Sequence, residues 1–200
     1  MLKAWYGLGY NRRAVALKKI AEMVVNDYNG NLPDSVDELK LFPQIGPNTA
    51  SSIVAFAFNK PTVFVETNIR KVYIYYFFPQ KTNVSDKEIL PLVERTLDRS
   101  NPREWYYALM DYGVMLKKTH PELNKKSAHY RRQAPFKGSN RQIRGEILKL
   151  LLNKDSLEIL EISKKLNVKA QKIKEILNQL EREGFIERKE NTIVISKRTF

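Results

Sequence analysis

The chain has 200 residues, a net charge of +13 and an isoelectric point near 9.8. It has no cysteine, which excludes disulfides and every zinc or iron–sulfur site that depends on thiolate ligands. Its length allows one large domain or two small ones, and such a positive charge favours a polyanionic partner over an acidic protein surface.

The first predicted helix covers residues 11–28, where apolar residues recur with helical spacing. Gly30 follows closely and is expected to end the helix. The side chains expected on its inner face are those of Ala14, Leu17, Ile20, Ala21 and Val24.

A helix-hairpin-helix is predicted next. Residues 36–42 and 48–58 have helical spacing, and the tight turn over residues 43–47 joins them. Gly46 is the expected pivot, since glycine tolerates positive φ. The turn would leave backbone N–H groups at the start of the second helix, where they can bind phosphate without reading bases. An ordinary helix-turn-helix corner is the alternative interpretation of this hairpin.

A lone carboxylate follows a β-rich apolar run at residues 62–65. Glu66 precedes an amphipathic helix predicted to extend to residue 78. The helix dipole favours a carboxylate there, and Thr67 or Asn68 is expected to cap the helix. Glu66 is therefore either a capping acid or a catalytic acid that stabilises developing positive charge in a water-poor pocket.

Two further helices are predicted over residues 86–98 and 103–118, with Trp105, Tyr106, Leu109, Met110 and Val114 as core. Pro, Gly and Ser then interrupt the periodicity at residues 135–139, which we interpret as a linker. Helices at 140–153, 160–166 and 170–183 follow, and strands at 185–188 and 192–196 flank a turn.

Three helices followed by a hairpin resemble a winged-helix domain, in which the third helix enters the major groove and the hairpin touches the DNA backbone. The candidate contacts are Gln171, Lys172, Lys174, Asn178 and Lys189. Glu175, Glu181 and Glu183 dilute the positive charge here, so docking to a protein is an open alternative.

The motif PQIGPNTA at residues 43–50, followed by VETNIR at 65–70, resembles the helix-hairpin-helix (HhH-GPD) DNA glycosylases, which include endonuclease III and adenine DNA glycosylase. LKAWYGLGYNRR at 2–13 and ALMDYGVM at 108–115 look closest to the adenine-specific branch. The resemblance implies a base-excision enzyme that flips a damaged or mispaired base out of duplex DNA and cleaves its N-glycosidic bond. Adenine opposite 8-oxoguanine or guanine is the implied substrate.

The resemblance implies a mainly α fold. Residues 1–134 would form an N-terminally incomplete helix-hairpin-helix glycosylase domain, residues 135–139 a linker, and residues 140–200 a small winged-helix (α+β) domain. Met1 falls in what resembles the middle of the family domain, whose missing helices supply the glutamate that protonates the leaving base. The chain is then a fragment or a mis-started reading frame, or else a DNA-binding protein without catalysis. A winged-helix transcription regulator is a further alternative.

The resemblance also assigns residues. Glu66 stands where the family has an aspartate that stabilises an oxocarbenium-like sugar, and a displaced carboxylate can reduce the rate about a hundredfold. Asn48 stands where bifunctional members carry a Schiff-base lysine, and an amide cannot be that nucleophile, so hydrolysis by water is expected. The hairpin residues expected to hold the DNA backbone, where a monovalent cation could also bind, are Gln44, Ile45, Gly46, Pro47, Asn48 and Thr49.

Many family members bind a [4Fe–4S] cluster just after the segment that resembles residues 110–115. Without cysteine this chain cannot form that cluster, and we expect no cofactor. A basic segment at residues 124–149 takes its place, either as a DNA-binding surface or as a flexible, solvated linker. Its candidate DNA contacts are Lys125, Lys126, Arg131, Arg132, Lys137, Arg141 and Arg144.

The expected partner is double-stranded DNA with a damaged or mispaired base. No apolar run reaches transmembrane length, and residues 1–10 lack a signal-peptide pattern. We therefore expect a monomeric, cytoplasmic, nucleoid-associated protein without membrane contact.

Overall fold

The computed structural model describes residues 2–5 and 8–196, so that Tyr6 of the LKAWYGLGYNRR motif lies outside the described residues. The chain forms two compact units, residues 23–132 in one and residues 1–22 with 133–200 in the other. Helices dominate both, and the strands form one small sheet, which confirms the predicted mainly α fold.

The helices that begin the chain are α1 (Leu2–Trp5) and α2 (Asn11–Asp27). Those of the unit made of residues 23–132 are α3 (Val36–Leu39), α4 (Pro47–Phe58), α5 (Thr67–Phe77), α6 (Asp86–Thr96) and α7 (Pro102–Thr119), followed by a 3₁₀ helix (Pro121–Lys126). The β-rich run at residues 62–65 forms no strand. It is an extended connection whose Phe64 and Val65 are buried in the core.

The contact of α5 with α7 is the tightest in this unit, and it depends on a glycine. A Cβ placed on Gly113 of α7 would lie 2.3 Å from the backbone oxygen of Asn68 on α5. Only a residue without a side chain therefore allows the two backbones to approach this closely. Val114 beside it, predicted as core, is 48% exposed, because the face of α7 that packs on α5 carries Gly113 and Leu116 instead.

The other unit has the predicted winged-helix arrangement. Its elements are α8 (Asn140–Asn153), β1 (Leu157–Glu158), α9 (Ile159–Leu166), α10 (Ala170–Arg182), β2 (Ile186–Lys189) and β3 (Thr192–Ile195). The sheet is antiparallel with strand order β1–β3–β2, and Leu157 pairs with Ile193. The apolar face of α10 packs on it through Ile173, Ile176, Leu177 and Leu180, which follow helical spacing.

The first residues of α2 pack differently from the prediction. Ala14 is fully buried in the same core as Ile147 and Leu177, so residues 1–22 belong to the unit that contains the winged helix. Leu17, predicted on the inner face, is 50% exposed. Ala14 and Ala16 are the residues that α2 buries, and Leu17 stays outside these contacts.

Two glycine substitutions test the close contact between α5 and α7. Gly113→Ala forces a methyl group against the Asn68 backbone, and we expect the free energy of unfolding to fall by about 1–3 kcal/mol. Gly145→Ala is the matched control, because its Cβ within α8 meets nothing within 4 Å. It should raise stability by about 0.5–1 kcal/mol. Urea denaturation of both variants measures these changes, and equal effects would contradict the close α5–α7 contact.

Candidate active site

Glu66 caps α5 with its own side chain. Its backbone is extended, and its Oε1 accepts hydrogen bonds from the backbone N–H groups of Asn68, at 2.6 Å, and Ile69, at 3.1 Å. The expectation that Thr67 or Asn68 caps the helix is wrong. Thr67 is already the first helical residue, so the capping position falls on Glu66.

The two carboxylate oxygens of Glu66 are in different situations. Oε1 is held by the helix start, whereas Oε2 has no hydrogen-bond partner among the residues that the structure describes. The side chain is half-buried. One oxygen therefore fixes the orientation of the carboxylate while the other remains available to a ligand.

The hairpin and the acid are joined by Asn48. Its side-chain amide, on the first turn of α4, donates a hydrogen bond to the backbone oxygen of Val65 at 3.1 Å. Val65 immediately precedes Glu66, so this bond fixes the distance between the hairpin and the carboxylate. Asn48 thus makes a structural contact at the position where, by the resemblance, bifunctional family members carry a Schiff-base lysine.

The extended segment before Glu66 is anchored on both sides. The Thr62 hydroxyl donates to the Ser51 backbone oxygen on α4 at 2.8 Å, and the Tyr106 hydroxyl on α7 donates to the Thr62 backbone oxygen at 2.7 Å. The ring of Tyr106 lies 4.2 Å from that of Phe64. These contacts fix the irregular segment against α4 and α7.

The hairpin turns at a residue other than the predicted pivot. The positive φ, 61°, belongs to Gln44, whereas Gly46 is an extended helix N-cap with φ −88°. A Cβ on Gly46 would meet nothing within 4 Å, so the protein's own packing does not require glycine there. The open space lies in front of the start of α4.

The first turn of α4 offers free donors. Pro47 occupies its first position, and no side chain caps the helix. The backbone N–H groups of Asn48 and Thr49 fall among the first four of the helix and lack intrahelical acceptors. Gly46, Pro47, Asn48 and Thr49 are all exposed, and Ile45 is half-buried with its N–H bonded to the Phe42 oxygen. Such a site suits an anion.

A buried lysine, which sequence reasoning missed, lies one turn along α5. Lys71 is 2% exposed, and its Nζ donates to the Asn68 Oδ1 at 2.6 Å and to the Gly113 backbone oxygen at 2.8 Å. Burial lowers its pKa, while Glu66 raises that pKa and Lys117 lowers it by smaller amounts. The signal in the sequence was a cation three residues before Ile74 on the apolar face of the helix.

The structure divides the basic segment between the two units. Lys125, Lys126, Arg131 and Arg132 belong to the unit of residues 23–132, and Lys137, Arg141 and Arg144 belong to the other. Lys126 donates to the Pro79 backbone oxygen, and its neighbours pair with Val84, so this part is fixed and is no flexible linker.

The C-terminal part of the basic segment makes contacts of its own. Arg141 donates to the Ala134 backbone oxygen at 2.8 Å and lies over the ring of Phe136. Arg144 forms an ion pair with Glu183 in which both side chains are largely buried. Arg144 is therefore occupied inside the winged-helix unit, and we leave it out of the proposed DNA surface.

The candidate DNA contacts of the winged-helix unit differ in whether their side chains are already bonded within that unit. Asn178 accepts a hydrogen bond from Arg188, which also contacts Glu181 at 3.4 Å, so this pair ties the hairpin to α10. Lys172 lies 3.6 Å from Glu175. Gln171, Lys174 and Lys189 are exposed.

The donor set excludes a four-thiolate cluster, because the chain has no cysteine. Across residues 2–5 and 8–196, no cluster of three or more His, Asp or Glu side chains is arranged to hold a metal ion. No helix in the same part of the chain is long and apolar enough to span a bilayer.

Known proteins match two parts of this chain. Residues 146–199 match the family model described as "Sugar-specific transcriptional regulator TrmB", in agreement with the winged-helix fold. An adenine DNA glycosylase of Buchnera aphidicola is 33% identical over 129 residues, 62% of this chain and 36% of the relative.

Two other relatives have different names. A thymine/uracil-DNA glycosylase of Methanothermobacter thermautotrophicus is 29% identical over 53% of this chain and 49% of its own length. An endonuclease III of Bacillus subtilis is 31% identical over 48% of this chain and 41% of its own length. The chain thus spans less than half the length of each of these three relatives.

The Tyr106 anchor predicts a pH dependence. Burial raises the pKa of this phenol to about 12, above its ordinary value near 10. Between these values the unfolded chain releases the proton and the folded chain keeps it, so the free energy of unfolding falls as the pH rises from about 10 to 12. Tyr106→Phe lacks this proton and should show a shallower fall in urea denaturation. Parallel pH profiles for the two proteins would contradict the prediction.

Proposed function

We propose that this chain, which is related in sequence to the helix-hairpin-helix DNA glycosylases, binds duplex DNA and hydrolyses the N-glycosidic bond of a base flipped out of it. The observation that carries the proposal is the hydrogen bond from Asn48 to Val65, which joins the start of α4, a candidate phosphate site, to the residue that precedes Glu66. A site that grips the backbone beside a fixed acid suits chemistry on a flipped nucleotide.

The proposed role of Glu66 is electrostatic. When the bond between C1′ and the base breaks, its electron pair leaves with the base and the sugar becomes an oxocarbenium-like cation. The free Oε2 would face that cation, while Oε1 keeps the carboxylate in place through α5. Water then adds at C1′, and the proton that it releases neutralises the departed base through solvent. Capping and catalysis are thus compatible roles of a single side chain.

The hairpin would hold the DNA backbone. The free N–H groups at the start of α4 can donate to a phosphate, and the open space at Gly46 lets that phosphate approach the backbone. Lys125, Lys126, Arg131 and Arg132 supply positive charge in the same unit. These contacts do not read sequence, which suits an enzyme that scans DNA.

We further propose a monofunctional, adenine-specific activity against A opposite 8-oxoguanine or G. Asn48 carries an amide at the position of the family's Schiff-base lysine, and that amide is engaged with Val65. Adenine as the target is supported by the motifs at 2–13 and 108–115 and by the name of the Buchnera relative.

A second candidate is a DNA-binding protein without catalysis. Glu66 is one methylene longer than the family's aspartate, and capping α5 gives it a sufficient structural reason to be present. The winged-helix unit could bind DNA independently, through Gln171, Lys174 and Lys189. Activity measurements separate these candidates.

The catalytic proposal is tested by base release. Duplexes carrying A opposite 8-oxoguanine, and separately T opposite G, are incubated with the protein and heated in alkali to cleave abasic sites. We expect cleavage of the first duplex and not of the second. The strand of the first duplex should break only after the alkali step. Glu66→Gln should lower the rate about a hundredfold or more, because it removes the charge and keeps an oxygen that can cap α5.

Glu38→Gln is the matched control, since Glu38 is an exposed acid on α3 of the same unit and its loss should leave the rate unchanged. Tight binding without base release by the unsubstituted protein would favour the non-catalytic candidate. Full activity in Glu66→Gln would remove Glu66 from the mechanism.

The hairpin proposal is tested by Gly46→Ala. The new methyl group meets no protein atom and the backbone is already extended, so the unfolding midpoint should fall only slightly, by the preference of a helix N-cap for glycine over alanine. The methyl group would stand between the helix start and a phosphate, and affinity for duplex DNA should fall about tenfold. Fluorescence anisotropy with a labelled duplex measures this loss. Unchanged affinity would show that the start of α4 does not contact DNA.

A further inference from the structure

A pocket separates α5 from the segment that follows the 3₁₀ helix. One wall is the face of α5 that carries Thr67, Arg70, Lys71 and Ile74, and the other is formed by residues 123–131. Its volume is about 230 Å³. Since water occupies roughly 30 Å³ per molecule in the liquid, the pocket can accept a tetrahedral oxyanion with accompanying waters.

Lys71 brings a buried, partly unsatisfied cation to this pocket. Its ammonium group has three donors, and two of them bond neutral acceptors, the Asn68 amide oxygen and the Gly113 backbone oxygen. No other acceptor bonds this group among the described residues. Burying an ammonium with no carboxylate bonded to it is unfavourable, and an anion in the pocket would offset that loss of hydration.

The remaining charges leave the pocket positive. Arg70 is neutralised by a two-point ion pair with Asp86, at 2.6 and 2.8 Å, and His129 Nε2 lies 3.6 Å from the same carboxylate. Arg131 is exposed, and in the part of the chain that the structure describes no carboxylate pairs with it. Even with Glu66 counted near Lys71, cations outnumber carboxylates.

The outer wall is held in place. Val84 donates to the Lys126 backbone oxygen at 2.8 Å and accepts from the Ala128 N–H at 2.9 Å. The His129 N–H donates to the Ser127 hydroxyl at 3.0 Å, and Leu123 is buried beneath. The wall therefore requires little ordering when a ligand enters.

We propose that this pocket is a phosphate-binding site, in which Lys71 donates from the floor and Arg131 closes the mouth. The ligand class is a phosphoryl oxyanion, either a phosphodiester of a nucleic acid or a free phosphate. The site is separate from the helix start at the hairpin, and it does not depend on whether Glu66 is catalytic.

The test is calorimetric titration of the full chain with inorganic phosphate and with dimethyl phosphate, at constant ionic strength in chloride. We expect saturable binding of at least one probe, and Arg131→Gln should weaken it about tenfold or more. Arg95→Gln is the matched control. It removes the same side chain from an exposed position on α6 outside the pocket and should leave binding unchanged.

A competition experiment identifies the source of the phosphate. Displacement of the probe by a short duplex in the unsubstituted protein identifies a nucleic acid backbone, and persistence of the probe identifies a free phosphate. Equal weakening by Arg131→Gln and Arg95→Gln would indicate a general charge effect and overturn the proposal, as would the absence of saturable binding. Because base release is not measured, failure here is distinct from failure of the glycosylase proposal.

Discussion

The close contact between α5 and α7 at Gly113 is the constraint on which the candidate site depends. It brings the Gly113 backbone oxygen to the ammonium of Lys71, which also holds the side chain of Asn68. The backbone N–H of Asn68 in turn donates to Glu66. A bulkier residue at position 113 would separate the helices, and the disturbance would pass through these three hydrogen bonds to the carboxylate.

Glu66 satisfies a structural requirement in the way that its proposed chemical role also needs. A catalytic carboxylate must be ionised and well oriented, and a helix start provides both a favourable dipole and two N–H donors. Because these donors bond only Oε1, they orient the carboxylate of Glu66 and leave Oε2 available to a ligand.

Local features of the fold were predictable because they arise from local patterns. Apolar spacing located α4, α5 and α8 to α10 to within a residue or two at each end, and turn residues located the C-terminal hairpin. The strand β1 could not be predicted, because two residues are too few to show the alternation of apolar and polar side chains that indicates a strand. Gly46 was taken as the pivot on residue type, yet Gln44 adopts the positive φ, which glutamine rarely does and which its sequence neighbours do not reveal.

Contacts between distant segments could not be predicted in the same way. The Asn48–Val65 bond joins residues 17 positions apart, and the Lys71–Gly113 bond joins residues 42 positions apart. The sequence puts Lys71 three residues before Ile74 on the apolar face of α5, but the burial of its ammonium group is produced by α7, which is distant along the chain. The same holds for Leu17, whose exposure follows from the partner that α2 packs against.

A buried lysine without a carboxylate bonded to it is unfavourable for folding, and such groups concentrate where a protein binds or reacts. A methionine would fill a similar volume at position 71 with no loss of hydration. The ammonium does align Asn68, but an uncharged donor could do so at lower cost. Lys71 lines a pocket with unpaired positive charge at its mouth, so a ligand anion accounts for the lysine better than packing alone.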